Sequence, residues 1–175
     1  MLKAALETGE MPGARGHISL VGAGPGARDL LTLRAVRRLQ EADVIFHDRL
    51  VEPEVLELAR RDADRIYVGK EVGQHAWPQE KIDRVITAEA LKGRRVVRLK
   101  SGDPSIFGRA AEEIAAARAA GIEVEIVPGI TAASAAAASI MVPLTERGET
   151  DSFAVTTGVC RAARASWLIA APPAS

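Results

Sequence analysis

From His17 onward, short apolar runs alternate with longer stretches in which apolar residues recur every three or four positions. That alternation of periods is the signature of an α/β fold on a mostly parallel sheet. The runs HISLVG (17–22), DVIFH (43–47), RIYVG (65–69), RRVVRL (94–99), EVEIV (123–127) and SFAVTT (152–157) predict strands. Asp29 is placed to cap a helix reaching about Gln40, with Leu30, Leu31, Leu33, Val36 and Leu39 as its apolar stripe. Pro53 and Pro78 stand where first-turn prolines open helices, running to about Arg61 and about Lys92. Gly93 and Gly121 stand where left-handed helix ends favour glycine. A further helix starts near Arg109. The alanine-rich segment from Thr131 to Leu144 is interrupted by Pro143 and reads as a buried helix; a membrane span needs roughly 20 apolar residues.

Composition narrows the function classes. The chain has 175 residues, the length of one domain, and is 47% hydrophobic, 26% charged and only 3% aromatic, so its core is aliphatic. Lys plus Arg and Asp plus Glu balance at 23 each. No global positive field draws in nucleic acid or an anionic membrane, and any anion site must be local. The single cysteine, Cys160, cannot form an intrachain disulfide, and no Cys/His cluster has the spacing of a metal site. Residues 1–16 read as a loose leader without a secretory signal, which makes the cytoplasm the expected compartment.

The segment VGAGPGARD runs from strand into helix, where backbone amides and a helix N-terminus can meet a ligand. A dinucleotide fingerprint would place glycine at 22, 24 and 27; position 27 is Ala, and Pro25 stiffens the turn. On this turn alone, a structural tight turn, a dinucleotide and another nucleoside-type ligand all stay open. Ser101-Gly102-Asp103-Pro104 follows a predicted strand directly, at the usual ligand rim of an α/β sheet, but an Asp-Pro turn before a helix would look the same. Gly129-Ile130-Thr131-Ala132 opens an alanine-rich helix in which small residues admit close approach, or in which Thr131 is merely a cap.

Taken in order, VGAGPG, DVIFHDRLV, YVGK, VVRLKSGDPSIFGR, VPGITAASAAAA and PLTERG resemble the uroporphyrinogen-III C-methyltransferases of the tetrapyrrole methylase superfamily, over roughly residues 17 to 158. The resemblance implies S-adenosylmethionine as methyl donor, no metal, and two methyl transfers to uroporphyrinogen III, at C-2 and C-7, giving precorrin-2 for sirohaem and cobalamin. It implies a homodimer whose donor cleft lies between two α/β domains. Matched position by position, Pro25, Ser101, Gly102, Asp103, Ile106, Thr131 and Ala132 take donor-binding places, Asp48 that of a proton acceptor and Lys70 that of a proton donor. The substrate so implied carries eight carboxylates, for which Arg49, Arg98 and Arg109 are candidate partners. His17, His47 and His75 receive no role.

The implied organisation is a methylase-like N-terminal domain over 17–145, a mostly parallel sheet flanked by helices. Residues 146–175 would be a linker and the start of an incomplete second domain. Members usually follow TTG with His, whereas Val159 stands here, and nothing beyond Arg161 matches; truncation would leave the chain inactive alone. Two other readings remain: a methylase of another corrin precursor, and a non-catalytic Rossmann-type nucleotide-binding module.

Overall fold

The computed structural model describes residues 16–69 and 77–157. Five parallel strands, β1 (His17–Gly22), β2 (Val44–His47), β3 (Asp64–Tyr67), β4 (Arg95–Lys100) and β5 (Glu123–Val127), form one sheet in the order β3-β2-β4-β1-β5. Among the described residues five α-helices accompany them: α1 (Leu33–Glu41), α2 (Pro53–Leu56), α3 (Gln79–Leu91), α4 (Ala110–Ala119) and α5 (Ala132–Ser139).

Strand alternation sends side chains to opposite sides of the sheet, and each side has its own cover. Val21, Ile45, Val97, Leu99 and Val127 meet Ala35 and Leu39 of α1 and Val55 of α2. On the other side Ile18, Leu20, Val44, Phe46 and Val96 meet Ile82, Ile86 and Ala90 of α3 and Ala110 and Ala117 of α4. The inner strands β1, β2 and β4, covered on both faces, are buried almost throughout, whereas the edge strands β3 and β5 are largely exposed. Phe46, Leu20 and Leu39 are fully buried, each contributing about 1.5–3 kcal/mol relative to an exposed position.

Four sequence expectations are corrected. The first helix does not begin at Asp29, which lies in a single 3-10 turn (Arg28–Leu30); Leu31 and Thr32 are extended, and Thr32 Oγ1 caps α1 by accepting from Ala35 N at 3.1 Å. Leu33 consequently points outward, 87% exposed. The helix opened by Pro53 stops at Leu56 rather than near Arg61. Ser152–Thr157 forms no strand and is exposed; a strand is made by its ladder, and the sheet ends at β5 on that side. The alanine-rich helix is not buried: none of α5's residues is more than partly covered, and Ile140, Met141 and Val142 beyond it are exposed. Gly93 and Gly121 do take left-handed conformations at the ends of α3 and α4. Among the described residues no helix is long and apolar enough to cross a membrane.

The Thr32 cap satisfies one of the first orphan amides of α1, so Thr32→Ala should lower unfolding free energy by about 1 kcal/mol in urea denaturation, with an unchanged denaturant slope.

Candidate functional site

The strand order creates one place where the chain leaves neighbouring strands in opposite directions. From β1 it crosses toward β2, on the far side of β4; from β4 it crosses toward β5, on the far side of β1. Outside the carboxyl ends of β1 and β4, therefore, lies the switch point at which open α/β sheets bind ligands.

Three loops meet there. The turn after β1 is stitched to the turn after β4: Ala23 N donates to the Lys100 carbonyl at 2.7 Å, Gly24 N to Gly102 O at 3.2 Å, and Gly102 N to Gly24 O at 2.7 Å. Gly24 and Gly102 both hold left-handed φ, +67° and +68°, a conformation that favours glycine. The loop after β5 closes the ring. Asp103 Oδ2 accepts from Gly129 N at 3.0 Å, while its Oδ1 accepts from Ser105 N at 2.8 Å and from the Ser105 hydroxyl. Burial works against ionisation of Asp103, but these bonds from Ser105 and Gly129 outweigh it and hold the carboxyl below the usual range.

A side chain on Gly102 would lie against Thr131 and Ala132, 3.9 Å from the Thr131 Cα and the Ala132 amide nitrogen. Thr131 stands at the N-cap position of α5 yet its side chain makes no capping bond. Pro25 follows Gly24 in the bridged turn, and Ile106 hangs half exposed beyond Asp103, its amide donating to Asp103 O at 3.1 Å. Pro25, Ser101, Gly102, Asp103, Ile106, Thr131 and Ala132 thus gather on one rim. The fit to a nucleoside-type ligand is a matter of shape: three backbone segments approach side by side with glycine at each, and an uncommitted hydroxyl lies beside them.

Asp48 lies at the same rim, one residue past β2, whose end pairs with β4 at Leu99. Its Oδ1 accepts from Leu50 N at 3.2 Å and its Oδ2 faces Arg98 Nη2 at 3.5 Å. Lys70 lies outside the described residues. Arg98 is not a ligand-facing arginine: it is 5% exposed and paired with Glu113 and Asp48. Arg109 pairs with Glu112, and Arg49 is exposed beside Asp48. Burial, with Arg98 beside it, holds Lys100 below the ordinary lysine range, although Glu113 pulls the other way.

Sequence reasoning missed Lys100 and Glu113. The available signal was a strand with charges at alternating positions, Arg98 and Lys100, on a face that a helix had to cover. His47, also at the end of β2, stacks edge-on against Tyr67 with centroids 5.7 Å apart, and burial lowers its pKa. Among the described residues no cluster of His, Cys, Asp or Glu could hold a metal ion.

Comparison with known proteins places this geometry. Residues 17–172 match the family model described as Tetrapyrrole (Corrin/Porphyrin) Methylases. The chain is 53% identical over 165 residues to siroheme synthase of Nitrosococcus oceani, covering 94% of this chain and 35% of that protein. It is 54% identical over 158 residues to siroheme synthase of Azotobacter vinelandii, covering 90% and 34%. The chain thus spans about a third of the length of these curated relatives. Uroporphyrin-III C-methyltransferase of Thermus thermophilus superposes with a TM-score of 0.67 at 47% identity, covering 77% of this chain and 56% of that one. The same enzyme complexed with S-adenyl homocysteine gives a TM-score of 0.63 over 76% and 55%. A cobalt precorrin-4 methyltransferase gives 0.68 at 30% identity, over 78% and 55%.

Proposed function

Because this chain belongs to the tetrapyrrole (corrin/porphyrin) methylases, we propose that its three-loop rim holds S-adenosylmethionine for C-methylation of uroporphyrinogen III at C-2 and C-7, giving precorrin-2. The product serves sirohaem or cobalamin synthesis. The observation that carries this reading is the convergence of Gly24, Gly102 and Gly129 backbone at the β1/β4 switch point, with Thr131 and Ala132 against Gly102. The resemblance to an enzyme solved with S-adenyl homocysteine supports it.

S-adenosylmethionine supplies an electrophilic methyl group; the protein's own task is alignment and proton handling. Pro25, Ser101, Gly102, Asp103, Ile106, Thr131 and Ala132 orient the donor, and fixed orientation of this kind is worth roughly 7–11 kcal/mol of barrier. Asp103 has spent both acceptor sites of Oδ1 on Ser105 and one of Oδ2 on Gly129, which leaves one Oδ2 lone pair for a ligand hydroxyl or amino group. Asp48 takes up a proton at the acceptor ring and Lys70 returns one, in the roles that family position gives them. Residues 17–145 form the donor-binding domain and 146–175 lead into a second one; the assembly is a cytoplasmic homodimer.

The Rossmann-type alternative meets a physical objection. The first amides of the glycine turn are spent on Lys100 and Gly102 carbonyls, and a 3-10 turn and two extended residues separate the turn from α1, so the turn does not open directly into an α-helix as that fingerprint requires. Calorimetric titration checks the choice: S-adenosylhomocysteine should bind saturably one-to-one and NAD should give no heat. Binding of NAD alone, or of neither by the folded chain, would overturn the donor site. Turnover of uroporphyrinogen III against a panel of later corrin precursors distinguishes the substrate.

A further inference from the structure

The sheet face covered by α3 and α4 carries two cations where apolar side chains belong. Arg98 and Lys100 of β4 are 5% and 6% exposed, and both close on Glu113 of α4, 4% exposed. Lys100 Nζ donates to the two Glu113 oxygens at 2.7 and 2.8 Å, Arg98 Nε to Oε1 at 3.2 Å, and Gln79 Nε2 of α3 to the same oxygen at 3.2 Å. Both terminal nitrogens of the guanidinium are engaged as well. Nη1 donates to the Leu99 and Phe46 carbonyls at 3.1 and 3.4 Å, and Nη2 reaches the rim at Asp48. Arg98 is a strut, gripped from inside by Glu113 and presenting one edge to Asp48.

A buried network of this sort is a poor way to gain stability. Removing charges from water costs several kcal/mol per ion, and well-packed apolar replacements are often neutral or stabilising. What the network does supply is direction, since a planar fork with three of its five N–H groups held by Glu113, Leu99 and Phe46 presents Nη2 in one orientation only.

We propose that Glu113 is a positioning residue for Asp48: it fixes the Arg98 guanidinium so that Nη2 orients the Asp48 carboxylate at the rim, with Lys100 balancing the charge. Its catalytic importance rests on the reading of Asp48 as proton acceptor, but the positioning itself is a property of the chain. The groups balance, two cations (Arg98, Lys100) against two carboxylates (Glu113, Asp48). The double variant Lys100→Met/Glu113→Met therefore removes one charge of each sign and leaves the charges of Arg98 and Asp48 in balance, with the guanidinium no longer gripped by Glu113.

The test is the Asp48 side-chain rotamer in the full chain, read from three-bond nitrogen–carbon and carbon–carbon couplings to its carboxyl carbon. In the unaltered protein a single staggered χ1 well is expected. In the double variant Asp48 should populate at least two wells, with Tm equal or raised and S-adenosylhomocysteine affinity unchanged. Arg98→Lys keeps the charge but cannot bridge Glu113 and Asp48 at once, so it should release Asp48 in the same way and serves if the double variant does not fold. An Asp48 that stays locked in whichever of these variants folds, or that is already averaged in the unaltered chain, overturns the proposal. Failure of the donor site would show instead as lost S-adenosylhomocysteine binding with Asp48 still locked.

Discussion

Gly129→Ala is expected to cost about 3 kcal/mol of unfolding free energy, the upper end for overpacking, and to abolish S-adenosylhomocysteine binding. A Cβ at this position would lie 2.2 Å from Gly102 O, 2.8 Å from Gly22 Cα and 3.0 Å from Gly22 C. All three are backbone atoms, so no rotamer change relieves the clash. The only response is to part the loops after β4 and β5 or to push β1 aside, and β1 is fixed by ladders to β4 and β5 on both sides. Gly22→Ala probes the same contact from the other wall, with a Cβ 2.6 Å from Gly102 O, Gly129 N and Gly129 Cα. Urea denaturation measures the stability term, and an unchanged denaturant slope shows that the native state alone was altered. Calorimetry on the fraction that stays folded measures the binding term. Full affinity in either variant would mean that donor binding does not depend on the closeness of the three loops.

That contact explains which parts of the molecule could be read from sequence. HISLVG was legible to the residue because an inner parallel strand is buried almost throughout, and EVEIV because an edge strand alternates polar and apolar positions between turn signals. The loops after β1, β4 and β5 stood out as candidate ligand rims because glycine and Asp-Pro follow strand ends. Helix starts were less so. Asp29 and Thr32 are both competent caps three residues apart, and the choice went to Thr32 because the chain must first cross from the switch point to the outer face as extended backbone. SFAVTT has strand composition and no ladder, since pairing is a tertiary property that composition does not encode. Arg98 and Lys100 were the hardest to interpret. Local rules put charged residues beside a motif at the ligand, whereas strand alternation turned these two inward, and only the arrival of Glu113 from α4 made that tolerable.

Asp103 tests whether the rim is held together by charge as well as by close approach. Asp103→Asn keeps one acceptor oxygen and turns the other into an NH₂ group. Whichever way the amide flips, that group faces a backbone N–H, of Ser105 or of Gly129, and one tether becomes a repulsion. Hydrogen bonds to a charged group are worth about 1.5–3 kcal/mol each, so the substitution should destabilise by about 3 kcal/mol. Losing a charged acceptor for the ligand as well should weaken S-adenosylhomocysteine by about 10- to 100-fold, at about 1.4 kcal/mol per tenfold. The pH dependence separates a tether from a bystander. The folded carboxyl lies below its unfolded value, so its stabilisation is complete above about pH 3.9 and lost as the pH falls through the lower folded value. The stability gap between the unaltered chain and Asp103→Asn should therefore be flat from neutrality down to about pH 4 and close below it. Asp43, Glu89 and Glu125 also titrate low, but they are common to both proteins and cancel in the difference. A gap that stayed constant into strong acid would mean that Asp103 contributes shape rather than charge, and the link between the β4 and β5 loops would then rest on the glycine contacts alone.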